Sequence, residues 1–354
     1  MAALATQIGS EPQVGGRLPR LWRWLRRIAA EFAGGVGHVL RSPSTLLGRG
    51  LWQRTARVGL ILLNLVGLYF LIGMIQMRQI DNDPGFSATQ VTEGGLRSVD
   101  IAAALIEREV TTNEWVMNSP PFSPGVLLDN MAAFQDGIMY GLGRFTTEMV
   151  DNLARSRGSS QVDPNLDRAN GLLRYPGDIW TFELGQSLAP QITSEEQYRA
   201  ARNALLSYNT RLANGEALFD PRPDNLLILL ERIIADVGSQ AALLDRMVWN
   251  GPRSIVDPAV DWLFFNTKGR IYAYYMLLRE LEHDFADVIQ QQGLGRVWSQ
   301  MLGGFREAAS HVPFMVINGE PGGLFTPSHL AEQGFMVLRA KTQLLDVAAV
   351  LSAR

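Results

Sequence analysis

The chain has 354 residues, a formal net charge of -3 at neutral pH and no cysteine. Disulfide scaffolds, thiolate nucleophiles and Cys-ligated zinc are therefore excluded. Of its 32 basic residues only Lys268 and Lys341 are lysine, a bias read as genomic GC content rather than as anion binding.

The small net charge hides a strong asymmetry. Residues 1–57 carry nine arginines against Glu11 and Glu31. In "RLPRLWRWLRRIAAEF", Leu18, Leu21, Trp22, Leu25, Ile28, Ala29 and Phe32 fall on one helical face, while Arg20, Arg23 and Arg27 point elsewhere. An apolar and basic helix with Trp22 is the composition of an interfacial helix on anionic lipid. "GGVGHVLRSPSTLLGRG" follows as a loop, with His38 isolated in it.

Next comes "RVGLILLNLVGLYFLIGMIQMR", uncharged from Val58 to Met77. At about 1.5 Å per residue such a run crosses a hydrocarbon core of about 30 Å. It starts too far into the chain, and lacks the small-residue cleavage site, for a secretory signal. The arginine excess on its N-terminal side predicts a cytoplasmic N-terminus and a periplasmic C-terminal part. Asn64 is the one strongly polar residue in mid-span, with Gly67 one turn further on the same face. That pair is the candidate for association with another transmembrane helix, the alternative being a bond from Asn64 to its own backbone.

A polar linker, 78–96, leads to a domain at 97–354 with helical periodicity and turn signals at "NSPPFSPG", "RYPGD", "FDPRPDN", "WNGPRS" and "NGEPGG". Helices are expected at 97–109, 125–156, 164–174, 194–214, 223–249, 257–291, 294–309 and 327–352. Leu226, Leu230, Ile233, Val237, Leu244 and Val248 form one bundle-like seam. Tyr274, Leu278, Leu281, Phe285 and Val288 form another. The expected fold is all-α: one N-terminal transmembrane helix, then a helical-bundle-like exported domain, either single or in two subdomains meeting near 175–195.

The single span after a basic leader, followed by "WNGPRSIVDPAVDWLFFNTKGRIYAYYMLLRELEHDF", resembles a family of proteobacterial inner-membrane proteins known only as a domain of unknown function. The likeness covers most of the chain from the span onward. It implies a bacterial envelope location and supplies no catalytic residues.

Chemistry-bearing patterns are few. Glu280, His283, Asp284 and Asp287 are spaced i, i+3, i+4, i+7, which on one continuous helix places them on one arc. Glu-x-x-His is half of a di-metal carboxylate pattern, so the arc is the candidate divalent-cation site, against the alternative of a hydrated acidic face. Glu183, between aromatic residues in "WTFELGQS", is the candidate raised-pKa acid of a glycan-cleaving enzyme. Ser328 beside His329 reads as a helix cap, since no Gly-x-Ser-x-Gly elbow exists. No cofactor other than a divalent cation is expected. An exported part near -10 is unsuited to nucleic acid. The expected role is a non-enzymatic envelope scaffold, adaptor or assembly factor, touching anionic lipid and envelope membrane proteins or itself. Alternatives are a peptidoglycan- or lipid-active enzyme and a ligand or cation sensor.

Overall fold

The computed structural model describes residues 51–77, 80–120, 122–157, 163–182, 190–251, 257–311, 313, 316–321, 323 and 327–353. The basic leader with Arg20, Trp22, Arg23 and Arg27, and also His38 and Glu183, lie outside the described residues. The chain divides into two compact units, one ending at Tyr69 and one beginning at Phe70. Among the described residues there are ten α-helices and no strand; the nearest approach to sheet is an isolated bridge between Asn318 and Ser328.

Helix α1, Leu51–Met77, carries the apolar run. Its window Arg57–Gln76 has a mean hydropathy of 2.4, and none of its residues is fully buried. Leu63 is 68% exposed and Leu60 60%. By length and composition this helix is apolar enough to cross a membrane.

The helices from Arg97 onward are α2 (Arg97–Glu107), α3 (Asp129–Arg157), α4 (Pro164–Leu173), α5 (Ser194–Ala213) and α6 (Pro223–Asn250). They continue as α7 (Pro258–Asp284), α8 (Ala286–Gln291), α9 (Gly295–Ser310) and α10 (His329–Ser352). Their starts follow local chemistry. Asp163, Thr193, Asp257 and Ser328 each cap a helix by accepting first-turn amides. Ser328 is thus a cap, as its neighbourhood suggests.

The seam of α6 is buried from Leu226 to Val248, as its periodicity predicts. Helix α7 is more deeply placed than its stripe implies, because nearly every side chain from Phe264 to Leu278 is buried. It is the central helix of the second unit. On one side it crosses α3; α2, α9 and α10 also pack on it, and α10 packs chiefly on α6 and α9. The α3–α7 crossing is made possible by two glycines. A side chain at Gly137 would strike the Asn266 carbonyl, and one at Gly269 would strike the Phe134 carbonyl. The helices therefore meet backbone to backbone. One core cluster runs through the second unit, from Leu96 to Leu351.

Two departures from the expected elements matter. Helix 97–109 ends at Glu107 and passes into a π-helical turn, Arg108–Thr112. Helix 257–291 is broken: α7 stops at Asp284, Phe285 takes φ -113° and ψ 26°, and α8 begins at Ala286. The Phe285 ring packs edge-on against Phe219, at 5.4 Å between centroids. Inward pull on this aromatic ring accompanies the bend, which a hydrophobic pattern alone does not reveal.

Candidate functional site

The acidic arc does not assemble as expected. The break at Phe285 puts Asp287 on a different helix from Glu280, His283 and Asp284. The Glu280 carboxylate is taken by Arg279, at 2.6 Å. Asp284 reaches across to the start of α2 and accepts the amides of Arg97 (2.7 Å) and Ser98 (2.9 Å). It supplies the cap that Leu96 cannot. Burial pushes the Asp284 carboxyl up, while these amides pull it back. His283 is exposed. Among the described residues no three His, Asp or Glu side chains are grouped to hold a metal ion. Asp284→Ala is expected to cost about 1–2 kcal/mol, as loss of a helix cap does. His283→Ala should stay within about 0.5 kcal/mol. Thermal melts of both variants, with and without divalent cations, check this.

Within α1, the Asn64 side-chain amide donates to the Leu60 carbonyl at 2.7 Å, one turn back. A donor satisfied in its own helix does not require a second helix. Gly67 has open space where a side chain would stand.

Two buried polar clusters that the sequence pattern did not single out flank α7. The first is centred on Arg108, which is 5% exposed beside the fully buried Glu109. Arg108 Nε donates to Glu109 at 2.7 Å and its Nη1 donates to the Tyr272 hydroxyl at 2.8 Å. Its guanidinium also lies over the rings of Phe86 (4.5 Å) and Tyr272 (5.0 Å) and within 3.6 Å of Asp81. The Tyr272 hydroxyl in turn donates to the Asp83 carbonyl. Burial pushes the Glu109 carboxyl up against the opposing pull of Arg108. Gln135 of α3 secures the turn: its amide donates to the carbonyls of Glu109 and Glu114, and its oxygen accepts the Val116 amide. Glu114 is held at φ +60°, a left-handed conformation uncommon outside glycine. The cluster ties the 80–86 segment, the π turn, α3 and α7 together.

The second cluster surrounds Lys268, fully buried on α7. Its ammonium donates to the His311 carbonyl at 2.8 Å. Burial lowers its pKa to about 7, so a substantial fraction is neutral amine near neutral pH. The His311 ring rests edge-on against Phe264, and its Nε2 lies 3.5 Å from Glu332 of α10. Burial lowers the His311 pKa, Glu332 opposes that, and His329 and Lys268 add to it. His329 Nδ1 accepts the Ile317 amide at 3.0 Å. Chemically, a partly neutral amine is a proton acceptor or a nucleophile. Its sequence signal was the lysine itself, rare in an arginine-dominated chain.

A third feature is a surface. Along α10, Phe335 (69%), Leu338 (52%) and Leu345 (44%) are exposed. Thr342 and Ala349 are exposed between and beyond them. Steps of three and four residues make this one uncharged stripe, edged by Glu332, Arg339 and Asp346.

No curated protein and no solved structure matches the chain. The family model described as "Uncharacterized protein conserved in bacteria (DUF2333)" matches residues 89–251 and 257–353, which takes in every helix from α2 to α10. With the match covering most of the chain, the Lys268 cluster and the α10 stripe included, the chain belongs to this uncharacterised bacterial family, DUF2333.

Proposed function

We propose that the protein is a single-pass scaffold or adaptor of the bacterial inner membrane that associates with a second copy of itself through α10. Its N-terminus is cytoplasmic and its helical domain periplasmic. The arginine excess before α1 supports the orientation. The observation that carries the role is the α10 stripe, because it is self-complementary. In an antiparallel pairing centred on Thr342, Phe335 of one copy lies opposite the small Ala349 of the other, and Leu338 lies beside Leu345. Arg339 then lies within about one residue's rise of Asp346 on the same flank. A two-fold axis makes each contact twice, as an isologous interface requires.

The chain lacks cysteine, so Thr342→Cys introduces a unique thiol at the proposed axis. In membranes, mild oxidation of this variant is expected to give a crosslinked dimer. Adding Leu338→Glu and Leu345→Glu should abolish it. A chain that stays monomeric under oxidation and in its native membrane overturns the pairing. Separately, a reporter fused after Arg354 should show periplasmic activity, and cytoplasmic activity overturns the orientation.

A catalytic reading has one observation in its favour, the buried Lys268 against His311. It predicts that Lys268→Met loses function without losing the fold.

A further inference from the structure

We infer that the turn Pro124–Leu127 and the segment at Trp180–Phe182 form a foot that dips into the lipid leaflet from which α1 emerges. The inference rests on the membrane reading of α1 and adds a second membrane contact made by the helical domain.

Three observations converge. First, Phe122 (66%), Val126 (44%), Leu127 (52%) and Phe182 (42%) are all exposed. Apolar groups gathered on one surface are costly in water and mark an interaction site. Second, they form one patch. Trp180 stacks edge-on with Phe122 at 6.1 Å and with Phe182 at 5.7 Å, joining two segments far apart in sequence. Third, the patch is continuous with the end of the span. Pro124 packs so closely on Gly73 that a side chain at position 73 would overlap its ring. Met74 packs against Val116, Leu128, Met131 and Ala132.

Gly73 is three residues from Gln76, the last residue of the apolar window. At about 1.5 Å per residue, Pro124 stands roughly 5 Å inside that end. That is the depth at which apolar side chains of interfacial segments lie, and tryptophan prefers the same zone. The occupant that fits is therefore the headgroup–acyl boundary of the same bilayer. A soluble partner would have to approach a surface already level with the lipid.

The test uses full-length protein in nanodiscs, each variant carrying one nitroxide on an introduced cysteine. Labels replace Phe122, Leu127, Leu63 in the span and Leu218, which is exposed in the turn after α5. The ratio of oxygen to nickel-chelate accessibility reads depth. At positions 122 and 127 it is expected to fall between the values at 63 and 218, severalfold above position 218. Water-like values at either 122 or 127, with a lipid-like value at 63, overturn the foot and leave the span intact. Water-like values at 63 as well overturn the membrane reading and the foot with it.

Discussion

Replacing Arg108 with Met should lower the stability of the protein by about 3–5 kcal/mol, the usual cost of stranding a buried charge. Glu109 is fully buried, and Arg108 is the cation that contacts it. Without the guanidinium, the carboxylate must either stay charged in a poorly solvated site or take up a proton at neutral pH. The Tyr272 hydroxyl also loses its donor, and the rings of Phe86 and Tyr272 lose the cation stacked on them. The double variant Arg108→Met, Glu109→Gln should recover most of the loss, because it removes the orphaned charge. Melting temperatures of the full chain in detergent measure both. Equal losses in the single and double variants would show that packing, rather than charge, dominates there.

The second large effect belongs to Lys268, and its sign is set by proton uptake. An unfolded lysine has a pKa near 10.5, whereas the folded chain holds Lys268 at about 7. Between these values the unfolded state binds more protons, so stability rises with pH across that window. Below about pH 7 both states are protonated and the full cost of burying the ammonium is present. At about 1.4 kcal/mol per pKa unit, that cost is on the order of 4–5 kcal/mol. Lys268→Met removes it. The variant should be more stable than the parent at neutral and acidic pH, and the gap should close as pH approaches 10. The comparison must be made variant against parent. Tyr272, pushed up to about 12 chiefly by burial, acts oppositely at high pH in both chains. A parent and variant separated by the same amount at every pH would exclude titration of Lys268.

The expected helices were legible because the signals for them are local. Pro223 and Pro258 stand in first turns, Asp163 and Thr193 cap, and α6 repeats its apolar residues every three or four positions. The chain's apolar span was legible from length alone. The candidate sites were less so, for a common reason: each depends on which neighbour a helix face meets. Glu280, His283, Asp284 and Asp287 looked like a hydrated arc, yet Asp284 is spent on amides 186 and 187 residues away. Lys268 and Thr267 are polar by type, yet both are inside. Arg108 and Glu109 are adjacent in sequence and pair within a buried π-helical turn. Nothing in "IEREV" marks that turn or its burial. The α10 stripe was readable as a pattern, but only the packing of α10 on α6 and α9 reveals which side of it stays uncovered.

The backbone-to-backbone crossing of α3 and α7 carries a consequence for how the chain is made. The Asn266 amide that reaches the Ala133 carbonyl bridges 133 residues of sequence. Contacts of such range slow folding, because a long loop must close before they form. At about 5–20 residues per second, the ribosome finishes α3 many seconds before it has made α7. Throughout that interval the α3 face around Phe134 and Gly137, which α7 covers in the folded chain, stays open. A nascent chain stopped at Asn250 should therefore be sticky and protease-sensitive, and resistance should appear abruptly once synthesis passes Asp284.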